Sequence, residues 1–128
     1  MRQAVKTDKA PKARGPYSQA IVDGDLVYLA GQGPVNPETD ELELGDIAAQ
    51  TTRTFRNVKA ILEAAGSSLD KVVRCTVYLK DMGDFAAMNE VYAEFFGEAR
   101  PTRTTVEVRF VDEHMKVEID AIAYRPAN

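Results

Sequence analysis

Two alternating stretches near the end of the chain constrain the fold more than any other part of the sequence. Polar and apolar side chains alternate over residues 100–110 and again over 116–123, a pattern typical of strands with one buried face. The apolar row of the second stretch contains Val117, Ile119, Ala121 and Ala123. Because Asp112-Glu113-His114 is a suitable turn, we predict an antiparallel hairpin whose polar face carries both Arg103 and Glu118.

Two amphipathic segments, Asp46–Ala65 and Asp84–Phe96, are predicted to be helices. Asp46 and Asp84 are suitable N-caps, and Gly66 is a suitable stop for the first helix. Further strands are predicted at residues 2–7, 17–22, 26–30 and 72–80. The resulting order, β-β-(β)-α-β-α-β-β, indicates an α+β fold in which two helices cover one face of the sheet.

The other face of this sheet is predicted to be an interface. Residues 26–30 are apolar on both sides of the strand, which favours burial on both sides. Two helices cannot cover both faces, and exposed patches of this kind usually mark contacts with partners. We therefore expect a homo-oligomer with its sites between subunits.

Composition restricts the number of domains, the kind of partner and the cellular compartment. A chain of 128 residues fits one domain, assigned to 1–128, and a net charge of -4 argues against a nucleic-acid partner bound through its phosphates. The N-terminus has no apolar signal core, and no apolar run approaches membrane-spanning length. The single cysteine, Cys75, excludes an internal disulfide and fits a reducing compartment, so a cytoplasmic protein without a membrane partner is expected.

Few catalytic groups are available. The single histidine, His114, lies at a predicted turn, and Cys75 lies on the apolar face of a strand, where a small buried side chain is expected. A cluster of zinc ligands and a Ser-His-Asp set are therefore both improbable.

Arg103 and Glu118 remain, with two interpretations. Their spacing alone favours a cross-strand ion pair worth less than ~1 kcal/mol. The alternative is a site in which the guanidinium binds a substrate carboxylate and the glutamate holds a water or passes a proton.

Several segments together resemble the RidA (YjgF) family. They are Ala10–Ala20, Leu29–Gln32, Gln50, Asn57–Gly66, Asp81–Phe96, Pro101–Thr104 and Val117–Ala123. The resemblance implies a chorismate-mutase-like (bacillary type) α+β fold, with two helices packed on one face of a mixed β-sheet. It also implies a homotrimer with clefts between subunits, and no metal or organic cofactor.

The activity implied by the resemblance is hydrolysis of reactive enamines and imines to 2-oxo acids and ammonia. The substrates implied are small imine or enamine carboxylates, such as 2-aminoacrylate, 2-iminopropanoate and 2-iminobutanoate. By position, Arg103 matches the arginine that binds the carboxylate, and Glu118 matches the glutamate that positions the attacking water. Tyr17, Gly31 and Asn89 match residues that line the cleft.

Four departures from the family pattern affect the expected specificity. Ala30 stands where many members have serine, and Thr105, counted here among the substrate-binding residues, stands where many have cysteine. Arg14 and Phe110-Val111 replace an apolar residue and a Leu-Pro pair.

Three alternative functions follow from these residues. Arg14 would suit a larger or dicarboxylic enamine of the 2-aminomuconate type, although a solvated loop arginine is the simpler interpretation. A non-catalytic regulatory trimer that binds 2-oxo acids through Arg103 is the second alternative. Ribonuclease activity ranks last, because the chain is acidic and has no suitably placed histidine.

Overall fold

The computed structural model describes residues 1–126, which form an α+β structure with a six-stranded mixed sheet. The strands are β1 (Arg2–Val5), β2 (Ala20–Asp23), β3 (Leu26–Gln32), β4 (Val35–Asn36), β5 (Glu41–Leu42), β6 (Val72–Leu79), β7 (Thr102–Glu107) and β8 (Val117–Tyr124), and the helices are α1 (Ile47–Ala64) and α2 (Phe85–Phe96). The sheet order is β1-β2-β3-β8-β6-β7, and β4 and β5 form a separate small hairpin. Among the strands of residues 1–126, only β6 and β7 pair in parallel.

Both helices pack on one face of the sheet, as predicted. The apolar row of β8 is buried beneath α1, and Phe55 of α1 is fully buried against the aromatic side chains of α2. Within the described residues, no helix combines the length and apolar character needed to cross a bilayer.

The ends of the helices confirm one predicted cap and contradict another. Asp46 accepts a hydrogen bond from Ala49 N at 2.9 Å, and Gly66 follows α1 with a φ of 84°, a conformation that favours glycine. Asp84 makes no side-chain cap, so that prediction was wrong. A 3-10 turn, Met82–Asp84, precedes α2, and Asp81 caps this turn by accepting from Gly83 N at 2.7 Å.

The predicted hairpin of β7 and β8 is wrong. β8 pairs with β3 on one side and β6 on the other, and β7 lies beyond β6. α2 connects β6 to β7 as a crossover, which is the connection that parallel neighbours require. The central place of β8 gives both of its edges a hydrogen-bonding partner.

The polar row of β7 also faces the side opposite to the one predicted. Arg103 is in register with Cys75, and Thr105 with Val77. Cys75 and Val77 are fully buried beneath the helices, so Arg103 and Thr105 lie on the helix side of the sheet. Glu118 alternates with the buried row of β8 and lies on the other side.

The face without helices is exposed in the single chain. Leu26, Tyr28 and Tyr124 lie on this face with 38%, 42% and 45% of their surfaces exposed. The predicted burial of residues 26–30 on both sides is therefore not found within one chain. Val73 is also exposed, because a register shift between Val72 and Arg74 interrupts the alternation of β6 at this residue.

Candidate active site

A cleft of about 590 Å³ brings together Tyr17, Gly31 and Glu118, three of the residues predicted to form the site. It lies between the loop preceding β2, strand β3 and the loop between β7 and β8. Its polar lining also includes Arg14, Tyr78 and Arg109. We call this region the Glu118 cleft.

Gly31 allows β3 to approach the Glu118 carboxyl group. β3 and β8 shift register between Leu29 and Gln32, and Gly31 lies within this irregular segment. A Cβ added at Gly31 would lie 2.8 Å from Glu118 Cδ, closer than carbon atoms approach in proteins. Any larger residue at position 31 would therefore displace the carboxyl group.

Glu118 is the group in the cleft best suited to proton transfer. Loss of solvent contact raises its pKa, and the nearby charge of Asp120 raises it further. Among residues 1–126, its carboxyl group accepts no hydrogen bond and forms no ion pair. Because the Glu118 carboxyl group is half-buried and has no partner among these residues, it is available to a water or a substrate.

Asp120 is held firmly beside Glu118 on the same face of β8. Its Oδ1 accepts from Thr76 N at 2.9 Å, and its Oδ2 accepts from the Tyr78 hydroxyl at 3.0 Å. Tyr78 is also the cross-strand neighbour of Glu118. The two bonds hold the Asp120 carboxylate in place, so its negative charge acts on Glu118 from a fixed position.

Replacing Asp120 with asparagine is expected to lower the pKa of Glu118, because the ionised form of Glu118 no longer faces a second negative charge. If ionised Glu118 is required for turnover, the acidic limb of the kcat/KM profile will move to lower pH. The Tyr78→Phe variant keeps the Asp120 charge and serves as the control, with no downward movement expected. An unchanged acidic limb in Asp120→Asn would rule out this influence of Asp120.

The loop that carries Tyr17 is tied to the β4–β5 hairpin through Asp40. The backbone N–H of Arg14 donates to the Tyr17 hydroxyl at 3.2 Å, and Arg14 Nη2 donates to Asp40 Oδ1 at 3.1 Å and to the Asp40 carbonyl. Lys12 lies 3.6 Å from the same carboxylate. Exposed pairs of this kind contribute little stability, so their main effect is to restrain the loop at the edge of the cleft.

The other three predicted site residues lie outside the Glu118 cleft. Arg103 Cζ lies 4.6 Å from the centroid of the Tyr92 ring and 5.5 Å from that of Phe85. Asn89 lies between these two aromatic residues on α2, and Thr105 follows Arg103 on the same face of β7. We call this group, with Arg103 at its centre, the Arg103 cluster.

Three polar atoms of the Arg103 cluster are buried without a partner. Asn89 Oδ1, Thr105 Oγ1 and the Tyr92 hydroxyl make no hydrogen bond with the described residues. Buried polar atoms are normally paired, so these three are where a water or a ligand would find hydrogen-bonding partners.

Arg103 and Glu118 do not meet within one chain. They differ by two strand spacings across the sheet and three residues along it, which places their Cα atoms about 14 Å apart. Their side chains also lie on opposite faces. The predicted single charged face is thus replaced by two separate groups of residues, the Glu118 cleft and the Arg103 cluster.

Comparison with known proteins identifies the family. The family model described as Endoribonuclease L-PSP matches residues 7–125. The structure of RidA from an Antarctic Psychrobacter species superposes with a TM-score of 0.91 at 47% identity, covering 95% of this chain and 98% of that one. The chain belongs to the RidA (YjgF) family.

Curated relatives span the whole length of this RidA-family chain. A RutC family protein from Pyrococcus horikoshii is 54% identical over 125 residues, covering 98% of this chain and 99% of that protein. The 2-iminobutanoate/2-iminopropanoate deaminase of Escherichia coli K12 is 44% identical over 128 residues, with the same coverage of 98% and 99%. The predicted family and its α+β fold are therefore confirmed.

Three residues next to the predicted site residues were missed by sequence reasoning: Asp120, Tyr78 and Tyr92. Asp120 shares the polar row of Glu118, and alternation along β8 was a sufficient signal to include it. Sequence patterns gave no signal for the other two, because the contact of the Tyr78 hydroxyl with Asp120 and that of the Tyr92 ring with Arg103 both depend on long-range pairing.

Proposed function

We propose that this protein hydrolyses small 2-imino and 2-enamino carboxylic acids, including 2-iminopropanoate and 2-iminobutanoate, to 2-oxo acids and ammonia. The observation that carries the proposal is the half-buried Glu118 carboxyl group, packed against Gly31 in a cleft that Tyr17 also lines. The name of the Escherichia coli relative supports the same reaction and substrate class.

The proposed active unit is a homotrimer in which Arg103 of one copy reaches the Glu118 cleft of the next. The Arg103 cluster contains no acid or base, and the Glu118 cleft, although Arg14 and Arg109 line it, does not contain Arg103, the arginine matched to the carboxylate receptor. We call the cluster and the cleft the two half-sites of this unit. β7 is at an edge of the sheet, which leaves Arg103 close to the boundary of the chain. The exposed apolar residues on the face without helices provide surface for a neighbouring copy, and cyclic symmetry would repeat the same contact at each interface.

In the proposed reaction, Arg103 binds the substrate carboxylate through two parallel hydrogen bonds and places the imine carbon beside Glu118. A water adds its oxygen to that carbon while ionised Glu118 takes one proton from the water, and Glu118 then passes this proton to the nitrogen to give the neutral carbinolamine. In the second step Glu118 takes the hydroxyl proton as the C=O bond forms, and it returns this proton to the amine as the C–N bond breaks. One imine and one water thus give one 2-oxo acid and one ammonia. Orientation and proton transfer are the contributions required of the protein.

The proposal is tested by following imine decay and ammonia release with 2-iminobutanoate generated in the assay. We expect the parent protein to release ammonia and 2-oxobutanoate in equal amounts, faster than buffer alone. A preference for 2-aminomuconate over 2-iminobutanoate would instead favour the dicarboxylic substrate class, for which Arg14 is the candidate receptor. Binding of 2-oxobutanoate without turnover of either compound would favour a regulatory protein.

Ribonuclease activity is not proposed, despite the description of the family model. His114 lies exposed in a turn, with Nδ1 3.3 Å from Asp112, and no second histidine exists in the chain. The negative net charge also opposes an RNA substrate.

A further inference from the structure

The guanidinium of Arg103 lies against a row of side chains on α2. Phe85, Asn89 and Tyr92 are four and three residues apart, a spacing that places all three on one side of the helix. The Tyr92 ring centroid is 4.6 Å from Arg103 Cζ, and the Phe85 centroid is 5.5 Å away. Both distances are within the range at which a cation is attracted to an aromatic face.

Of the two rings, Tyr92 is the better anchored. Only 6% of Tyr92 is exposed, against 39% of Phe85. The Tyr92 ring packs against Phe55 at 5.5 Å and Phe96 at 4.7 Å, and both of these residues belong to the buried core. The position of Tyr92 is therefore fixed by the core rather than by Arg103.

No carboxylate holds Arg103 in place. Among residues 1–126 Arg103 forms no ion pair, so the aromatic contacts are the attractions that orient its guanidinium. Cation–π contacts are strongest where water is excluded, which favours the contact with the buried Tyr92 over that with Phe85.

We propose that Tyr92 is a positioning residue for Arg103: its ring holds the guanidinium so that the N–H edge remains available for the substrate carboxylate. This inference rests on the proposed role of Arg103. The aromatic ring of Tyr92, rather than its hydroxyl group, holds the guanidinium. Burial raises the pKa of Tyr92, so the hydroxyl group stays neutral. A neutral phenol does not compete with the substrate carboxylate for Arg103.

The kinetic test compares Tyr92→Phe with Tyr92→Leu. We expect Tyr92→Phe to retain the parent KM and Tyr92→Leu to raise KM about tenfold. The kcat of Tyr92→Leu should change less than about twofold, because a misplaced Arg103 weakens substrate binding more than it affects the chemical step. Phe85→Leu, at a more exposed position, should raise KM about threefold and provides a test if Tyr92→Leu does not fold. Equal KM values in folded Tyr92→Leu, Phe85→Leu and parent proteins would overturn the proposal.

A second measurement does not depend on turnover. Nuclear magnetic resonance of the Arg103 side-chain Nε–H, assigned with an Arg103→Lys variant, reports the aromatic ring directly above it. We expect an upfield-shifted proton in the parent and in Tyr92→Phe, and loss of most of the shift in Tyr92→Leu. If the parent protein shows the shifted proton but does not hydrolyse imines, the positioning of Arg103 stands and only the proposed reaction is rejected. An unshifted proton in the parent would overturn the positioning role.

Discussion

Replacing Arg103 with alanine is expected to lower kcat/KM for 2-iminobutanoate by about 100- to 1,000-fold. A bidentate guanidinium–carboxylate contact comprises two charge-assisted hydrogen bonds, and losing it costs about 3–4 kcal/mol, which corresponds to that range. The loss should be large because no other residue of the Arg103 cluster is positively charged. The measurement is imine decay at several substrate concentrations, so that KM and kcat are obtained separately.

Arg103→Lys is the matched control for this effect. It keeps the positive charge, but an ammonium group cannot present two parallel donors or lie flat on an aromatic ring. We expect an intermediate loss, with most of it in KM. If Arg103→Ala consumed 2-iminobutanoate as fast as the parent, the assignment of Arg103 as the carboxylate receptor would be wrong.

Replacing Glu118 with glutamine is expected to lower kcat by about 10²- to 10⁴-fold, the usual contribution of a positioned acid or base. Glutamine has nearly the same shape, so Gly31 and the cleft should remain in place. It cannot take a proton from water, so the loss should appear in kcat while KM changes little. Single-turnover decay of the imine, with the variant in excess, measures this step directly.

The pH dependence separates a proton-transfer role from a purely steric one. Because burial raises the pKa of Glu118, the parent should lose activity as the pH falls through that raised pKa and Glu118 becomes protonated. The residual activity of Glu118→Gln should not show this acidic limb. A variant that retained parental kcat, or the same acidic limb, would show that Glu118 is not the proton-transfer group.

Periodicity was sufficient to predict the two helices and the row of β8 that they cover. The apolar stripe of α1 and the apolar row of β8 were both identified from spacing, and both are buried in the structure. Asp46 and Gly66 mark the ends of α1 because capping and positive φ are local requirements. Such features depend on residues close together in the sequence.

Strand neighbours could not be obtained in the same way. Alternation shows that Val117 and Ile119 share a face, but it does not show that β3 and β6 flank β8. The helix between β6 and β7 was predicted, but it was not interpreted as a crossover, which is the usual connection between parallel strands. Recognising that unit would have placed β7 beside β6 and removed the hairpin.

The same error affected the site. Tyr17, Gly31 and Glu118 meet in one cleft, whereas Arg103 and Asn89 lie in the Arg103 cluster across the sheet. The residue types were recognised from the family resemblance, but their relation to one another depends on long-range pairing. The spatial separation of the half-sites is what makes a site between copies the simplest proposal for this chain.

Mixing two impaired variants tests that proposal most directly. Arg103→Ala and Glu118→Gln proteins are combined in equal amounts, unfolded, refolded together and assayed for ammonia release from 2-iminobutanoate. If Arg103 of one copy serves the Glu118 cleft of the next, random assembly restores both residues in about one quarter of the sites, and about a quarter of parental activity should return. Each variant refolded alone is the control and should remain impaired. A mixture no more active than these controls, in oligomers shown to contain both variants, would contradict a site shared between copies.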